Sequence, residues 1–249
     1  MEFFAGFGAV DIAVALVAAF VAAYIRGIAG FGMAIVLVPV LALALTPVQA
    51  VLVTNGIAVG LGLSEIRNLL RNAERSALVI GFWVVLATAP GLWLLNITPA
   101  DLARVLIAFV ALSAFGAVLL PQRAAEIPGP MQTAATGVAA GLLTGFAGMP
   151  GPPVVPYYVG RAIPRVAAKA SMLLIFTIAA AAGLASGAAL GLLDWRDLLL
   201  AVLLLPAVWI GNWLGSLAFG KISDRTWRAF VALVLFATAT VALLKLLQG

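Results

Sequence analysis

Apolar stretches long enough to cross a lipid bilayer follow one another along nearly the whole chain, with most charged residues in the short gaps between them. A helical crossing takes about 20 residues. Apolar segments fall at 9–25, 28–45, 47–66, 76–96 and 102–120, and again at 131–147, 149–160, 169–192, 197–219 and 227–247; of these 131–147 and 149–160 are short and read as arms of a hairpin or a broken helix. The polar run PQRAAEIPGP at 121–130 joins the two sets. Backbone groups in hydrocarbon must find partners within the protein, which favours helices. The expected fold is an all-α integral membrane protein: a first transmembrane repeat at 1–120, a linker at 121–130 and a second repeat at 131–249.

Composition points the same way. Only 9% of the 249 residues are charged and 65% are hydrophobic, where a soluble domain carries roughly 25% charged residues. The net charge of +5 does not indicate nucleic acid, because the basic residues sit in short connections, the pattern of cytoplasmic retention. The chain has no Cys and no His. Disulfides, thiolate chemistry and His-based metal sites or proton relays are thereby excluded, and no cofactor is expected. Glu2 and Asp11 stand where a cleaved signal would carry basic residues, so the first segment reads as retained.

Two places break the apolar pattern. In YIRGIAGFGMAIVLVPVL, residues 24–41, Gly27, Gly30 and Gly32 interrupt an apolar run, with Arg26 at the edge and Pro39 beyond. In LLTGFAGMPGPPVVPYY, residues 142–158, Gly145 and Gly148 precede Pro150, Pro152, Pro153 and Pro156. Glycine and proline this dense take the backbone out of regular helix. At membrane depth that is tolerated where the freed groups are buried in protein or line a cavity. One such break per half is the sequence pointer to a transporter's binding site.

The halves repeat. Gly27-Ile28-Ala29-Gly30 matches Gly145-Phe146-Ala147-Gly148, Pro47 pairs with Pro164, Thr54 with Ser171 and Pro90 with Pro206, in the same order. Placing the basic connections 67–75, 161–169 and 221–228 in the cytoplasm leaves Arg104, Arg196 and Lys245 outside. Both termini are then periplasmic, and the second half starts on the opposite side from the first. The expectation is two inverted repeats of about five helical segments each, the first two of each repeat forming a broken helix or a re-entrant hairpin.

The pairing of GIAGFGMAIVLVPVL with GFAGMPGPPVVPYYV, each near the start of an apolar half, resembles the TauE/SafE family, the sulfite exporter or toluene-sulfonate uptake permeases. The resemblance covers nearly the whole chain, although the second break here is richer in proline than in glycine. It implies a permease for small sulfur-containing anions such as sulfite, sulfoacetate or other organosulfonates in the bacterial inner membrane.

The candidate substrate-binding residues are Arg26, Gly27, Gly30, Gly32, Thr54, Asn55, Thr144, Gly145, Gly148, Ser171 and Asn212. Helix ends at the breaks can present backbone N–H groups to an anion; the same glycines can instead serve close helix packing. Arg26 is either a costly charge near the tip of a re-entrant hairpin, held by a ligand or partner, or a cytoplasmic loop cation. Thr144 occupies the matching place in the second half. Thr54, Asn55, Ser171 and Asn212 are polar groups within apolar runs, able to bind a ligand or tie helices together. Glu65, a carboxylate within an apolar segment, reads as a loop-edge partner of Arg67.

The function these features favour is a secondary transporter, exporting by alternating access around a site between the two breaks. Its partners would be the anion and the bilayer, with a homodimer compatible. An anion channel or facilitator, and a membrane scaffold without transport, are the competing readings. An intramembrane enzyme would need a nucleophile with a base, paired aspartates or metal ligands in apolar segments, and the sequence supplies none.

Overall fold

The computed structural model describes residues 9–119, 128–159, 161 and 163–217. The linker residues 121–127 and the segment expected at 227–247 lie outside them. The described residues form nine α-helices and no strand: α1 (Ala9–Ala29), α2 (Met33–Leu41), α3 (Pro47–Asn72), α4 (Arg75–Ile97), α5 (Ala100–Leu119), α6 (Pro130–Ala147), α7 (Gly151–Val159), α8 (Arg165–Ala189) and α9 (Trp195–Leu217). Among them α3, α4, α8 and α9 are long and apolar enough to cross a membrane. Large apolar side chains such as Phe82, Trp93, Trp209 and Trp213 face outward while Thr54, Asn55, Thr88 and Ser171 are buried, the distribution expected where the solvent is lipid.

Both breaks exist, and both are shorter than the sequence suggests. The first helix runs through Arg26 and Gly27 to Ala29, and stops where Gly30 (φ 80°) and Gly32 (φ 98°) take the left-handed conformation. Only glycine adopts it at little cost. The second break opens with Gly148 at φ 67°, the C-cap of α6, whose N–H bonds back to Leu143 and Thr144 carbonyls. Pro150 follows, and α7 then begins at Gly151. Both α2 and α7 are nine-residue pieces, about 14 Å at 1.5 Å per residue, too short to span. Pro39, Pro90, Pro156 and Pro206 lie inside helices.

The third helix overruns its expected end and carries Arg67 and Arg71 on its last turns. It starts sharply: Thr46 Oγ1 accepts from the Gln49 N–H at 3.3 Å, and the Gln49 side chain accepts from the Thr46 N–H at 3.2 Å. That reciprocal cap fixes a helix start and assigns Gln49 a structural task.

Helix packing is tightest where glycines let backbones meet. Along α1 and α9, a Cβ at Gly27 would strike the Asn212 carbonyl, one at Gly211 the Phe20 carbonyl, and one at Gly215 the Tyr24 carbonyl. Along α4 and α6, Gly91, Gly137, Gly141 and Gly145 serve the same purpose against Leu142, Ile80, Val84 and Thr88. Small residues permit this close approach in membrane bundles. Between these tight pairs α3 packs on α8, α3 also on α9, and α4 also on α8.

Candidate functional site

A cavity of about 50 Å³ lies where the two breaks approach α3 and α8. One water needs about 10–15 Å³ by the same measure, so there is room for a few waters or one small ion. Gly32, Met33, Ala34 and Ile35 of the first break line it, together with Gly148, Pro150 and Gly151 of the second. Phe31, Met149, Leu173 and Phe176 make much of the wall apolar.

The polar part of the wall comes from Arg26 on α1, from α3, and from Thr177 on α8, whose Oγ1 donates to the Leu173 carbonyl at 2.8 Å. Thr54 and Asn55 line the cavity and are 1% and 3% exposed. Neither Thr54 Oγ1 nor Asn55 Nδ2 has a hydrogen-bond partner. A buried donor left unmatched costs about 1–3 kcal/mol, so such groups in a native protein call for an explanation. Gly183 keeps the Asn55 amide in place, since any Cβ there would run into Nδ2.

The two half-helices present their N-termini to this space, but they are not equivalent donors. The first amides of α2 have no partner within the helix, and Met33, Ala34 and Ile35 carry three of them at the cavity. In α7 the corresponding first turn is Gly151-Pro152-Pro153, and proline has no N–H. Its dipole end still favours negative charge, while its donors reduce to Gly151. Around the cavity therefore stand the first amides of α2, the buried Thr54 and Asn55 side chains of α3, and the N-terminal ends of both half-helices.

Arg26 is the charged residue among those lining the cavity, and it also belongs to a polar network behind the wall. Its Nη1 donates to Asn212 Oδ1 at 2.6 Å and its Nη2 to Glu65 Oε2 at 3.2 Å. Asn212 Nδ2 closes the triangle by donating to Glu65 Oε1 at 3.1 Å. Lys169 Nζ donates to the Gly27 carbonyl at 3.1 Å, and its stem lies against Gly30, where a Cβ would fall 2.9 Å from Lys169 Cγ. Four helices, α1, α3, α8 and α9, are tied together here.

The sequence candidates thus divide by position. Arg26, Gly32, Thr54, Asn55 and Gly148 line the cavity. Gly30 shapes the first break beside Lys169. Gly27 and Gly145 lie at the α1–α9 and α4–α6 backbone contacts. Thr144 is buried, with Oγ1 donating to the Ala140 carbonyl at 2.7 Å. Ser171 is away from the cavity, its Oγ accepting from the Glu74 N–H at 2.9 Å. Asn212 lies in the network behind Arg26.

Glu65 pairs with Arg26, not with Arg67 as its neighbourhood in sequence suggests. A carboxylate in an apolar segment is the signal that marks it; the partner 39 residues away is supplied only by the fold. The apolar wall residues Phe31, Met149 and Phe176 carry no sequence signal that separates them from ordinary packing.

The comparison with curated proteins finds no match, and neither does that with solved structures. The family model described as sulfite exporter TauE/SafE matches residues 15–242, nearly the whole chain and both breaks. The chain belongs to the sulfite exporter TauE/SafE family of membrane transporters.

Proposed function

We propose that this protein carries a small sulfur-containing anion, sulfite or a short organosulfonate, outward across the bacterial inner membrane by alternating access around the cavity between the two breaks. Membership of a sulfite exporter family gives the substrate class. The observation that carries the site is the pair of buried, unpartnered donors, Thr54 Oγ1 and Asn55 Nδ2, beside the free amides of α2. An oxyanion supplies the acceptors these groups lack, and helix N-termini are suited to it. A volume of about 50 Å³ favours a compact anion over a bulky aryl sulfonate.

Inverted repeats suit the observed packing. If α1 to α5 correspond to α6 onward, α1 corresponds to α6 and α4 to α9. The tight pairs α1–α9 and α4–α6 are then images of each other, as are α3–α9 and α8–α4. The half-helices α2 and α7 become the paired discontinuous segments that meet at a transporter's midplane site.

Uptake of labelled sulfite and a panel of sulfonates into proteoliposomes tests the proposal. Saturable sulfite flux, inhibited best by small anions, supports it. Flux that never saturates favours a channel, and no flux from folded protein removes this substrate class.

A further inference from the structure

Arg26 is the residue common to the cavity wall and the network behind it. Glu65 and Asn212, its two partners, do not line the cavity. The guanidinium is nearly buried, its side chain 9% exposed, while the Glu65 side chain is 30% exposed. An anion held by Thr54, Asn55 and the α2 amides would stand on the other side of the same guanidinium. Two negative groups then compete for one buried cation.

We propose that Glu65 is an internal competitor for the substrate anion: loading draws Arg26 from Glu65 to the anion, and unloading returns it. This rests on the anion-transport reading above. The Arg26–Glu65 pair ties α1 to α3, and Asn212 extends the tie to α9. When the anion takes Arg26, the direct tie between α1 and α3 is lost, and the first break is free to move against α3 while Asn212 keeps Glu65 on α9. Glu65 is not abandoned by the exchange, because Asn212 Nδ2 still donates to it. Return of Arg26 to Glu65 then lowers the affinity of the site and helps release. A ligand can shift such an equilibrium only through differential contacts in the two states, and Arg26 provides them.

Glu65 is by this account a positioning residue, and its signature is a split between KM and kcat. The test measures sulfite flux in proteoliposomes for the wild type, Glu65→Gln and Asn212→Asp. Glutamine retains an acceptor for Asn212 but no charge, so KM for sulfite should fall about fivefold or more, in the usual range of coupling between sites, with a lower kcat. Asn212→Asp adds a second competitor on Nη1 and should raise KM by a similar factor. KM within twofold of wild type in both variants would overturn the proposal, leaving the network a purely structural tie. Should Glu65→Gln fail to reconstitute, Asn212→Asp decides alone. Absence of saturable sulfite flux in the wild type would overturn the anion-transport reading, and this inference with it.

Discussion

Arg26 Nη1 lies 2.6 Å from Asn212 Oδ1, joining residues 186 positions apart on α1 and α9. The contact is close because Gly27, Gly211 and Gly215 let the two helices touch backbone to backbone. A short polar side chain on α9 thereby reaches the only guanidinium that borders the cavity among the described residues. Packing and electrostatics at this point are one arrangement.

Removing one member of a fully buried ion pair costs about 3–5 kcal/mol. The partial exposure of Glu65 places this pair below that range. Arg26→Gln should still lower the thermal midpoint in detergent, because Glu65 keeps its charge and loses its guanidinium. Adding Glu65→Gln to it should recover at least half of the loss, since no carboxylate is then left uncompensated. Additive losses in the double variant would contradict the pairing.

Thr54→Val separates stability from binding. The hydroxyl has no partner, so an isosteric apolar replacement relieves an unmatched buried donor. The midpoint should hold or rise by about 2–4 °C, the shift that 1 kcal/mol produces in a chain of this size. Sulfite KM should rise at the same time. A fall in stability would mean that the hydroxyl is satisfied in the folded protein.

The first glycines of the repeated GxxG pattern, Gly27 and Gly145, act through packing. Gly145→Ala drives a methyl into the Thr88 carbonyl and the Leu92 amide, and overpacking of this kind costs about 1–3 kcal/mol. Backbone cannot retreat as a side chain can. Gly60→Ala, by contrast, meets only the end of the Leu205 side chain at 3.0 Å, and helix propensity gains up to about 1 kcal/mol. Thermal unfolding of the two variants side by side should show a clear loss in the first and little change in the second.

Gly183→Ala should impair transport without touching the ligand. A Cβ there displaces the Asn55 amide, so sulfite KM should rise toward that of Asn55→Leu. Unchanged KM in a folded Gly183→Ala protein would remove Asn55 from the site.

Much of this was legible in the sequence because glycine and proline act locally. Gly30, Gly32 and Gly148 announced the breaks through conformations that other residues avoid, and the prolines after Gly148 marked a helix too short to span. Arg26, Thr54 and Asn55 stood out as polar groups in apolar runs. Matching by offset went less far. Thr54 and Ser171 match by sequence offset, yet one lines the cavity and the other accepts from the Glu74 N–H. Gly27 and Gly145 illustrate a different limit: a small residue permits both ligand approach and helix contact, and only the opposing helix decides. The Glu65–Arg26 pair depended on how three helices meet, which no local pattern records.

The most direct test of the cavity as an anion site is the thermal shift of detergent-solubilised protein titrated with sulfite, wild type against Asn55→Leu. A ligand that binds only the folded state raises stability by about 2.7 kcal/mol at a hundred times its Kd. Wild type should show a saturable rise in midpoint, and Asn55→Leu, with the midpoint of its empty form close to wild type, should need far more sulfite to match it. Identical titrations in the two proteins would place the anion elsewhere and contradict the account.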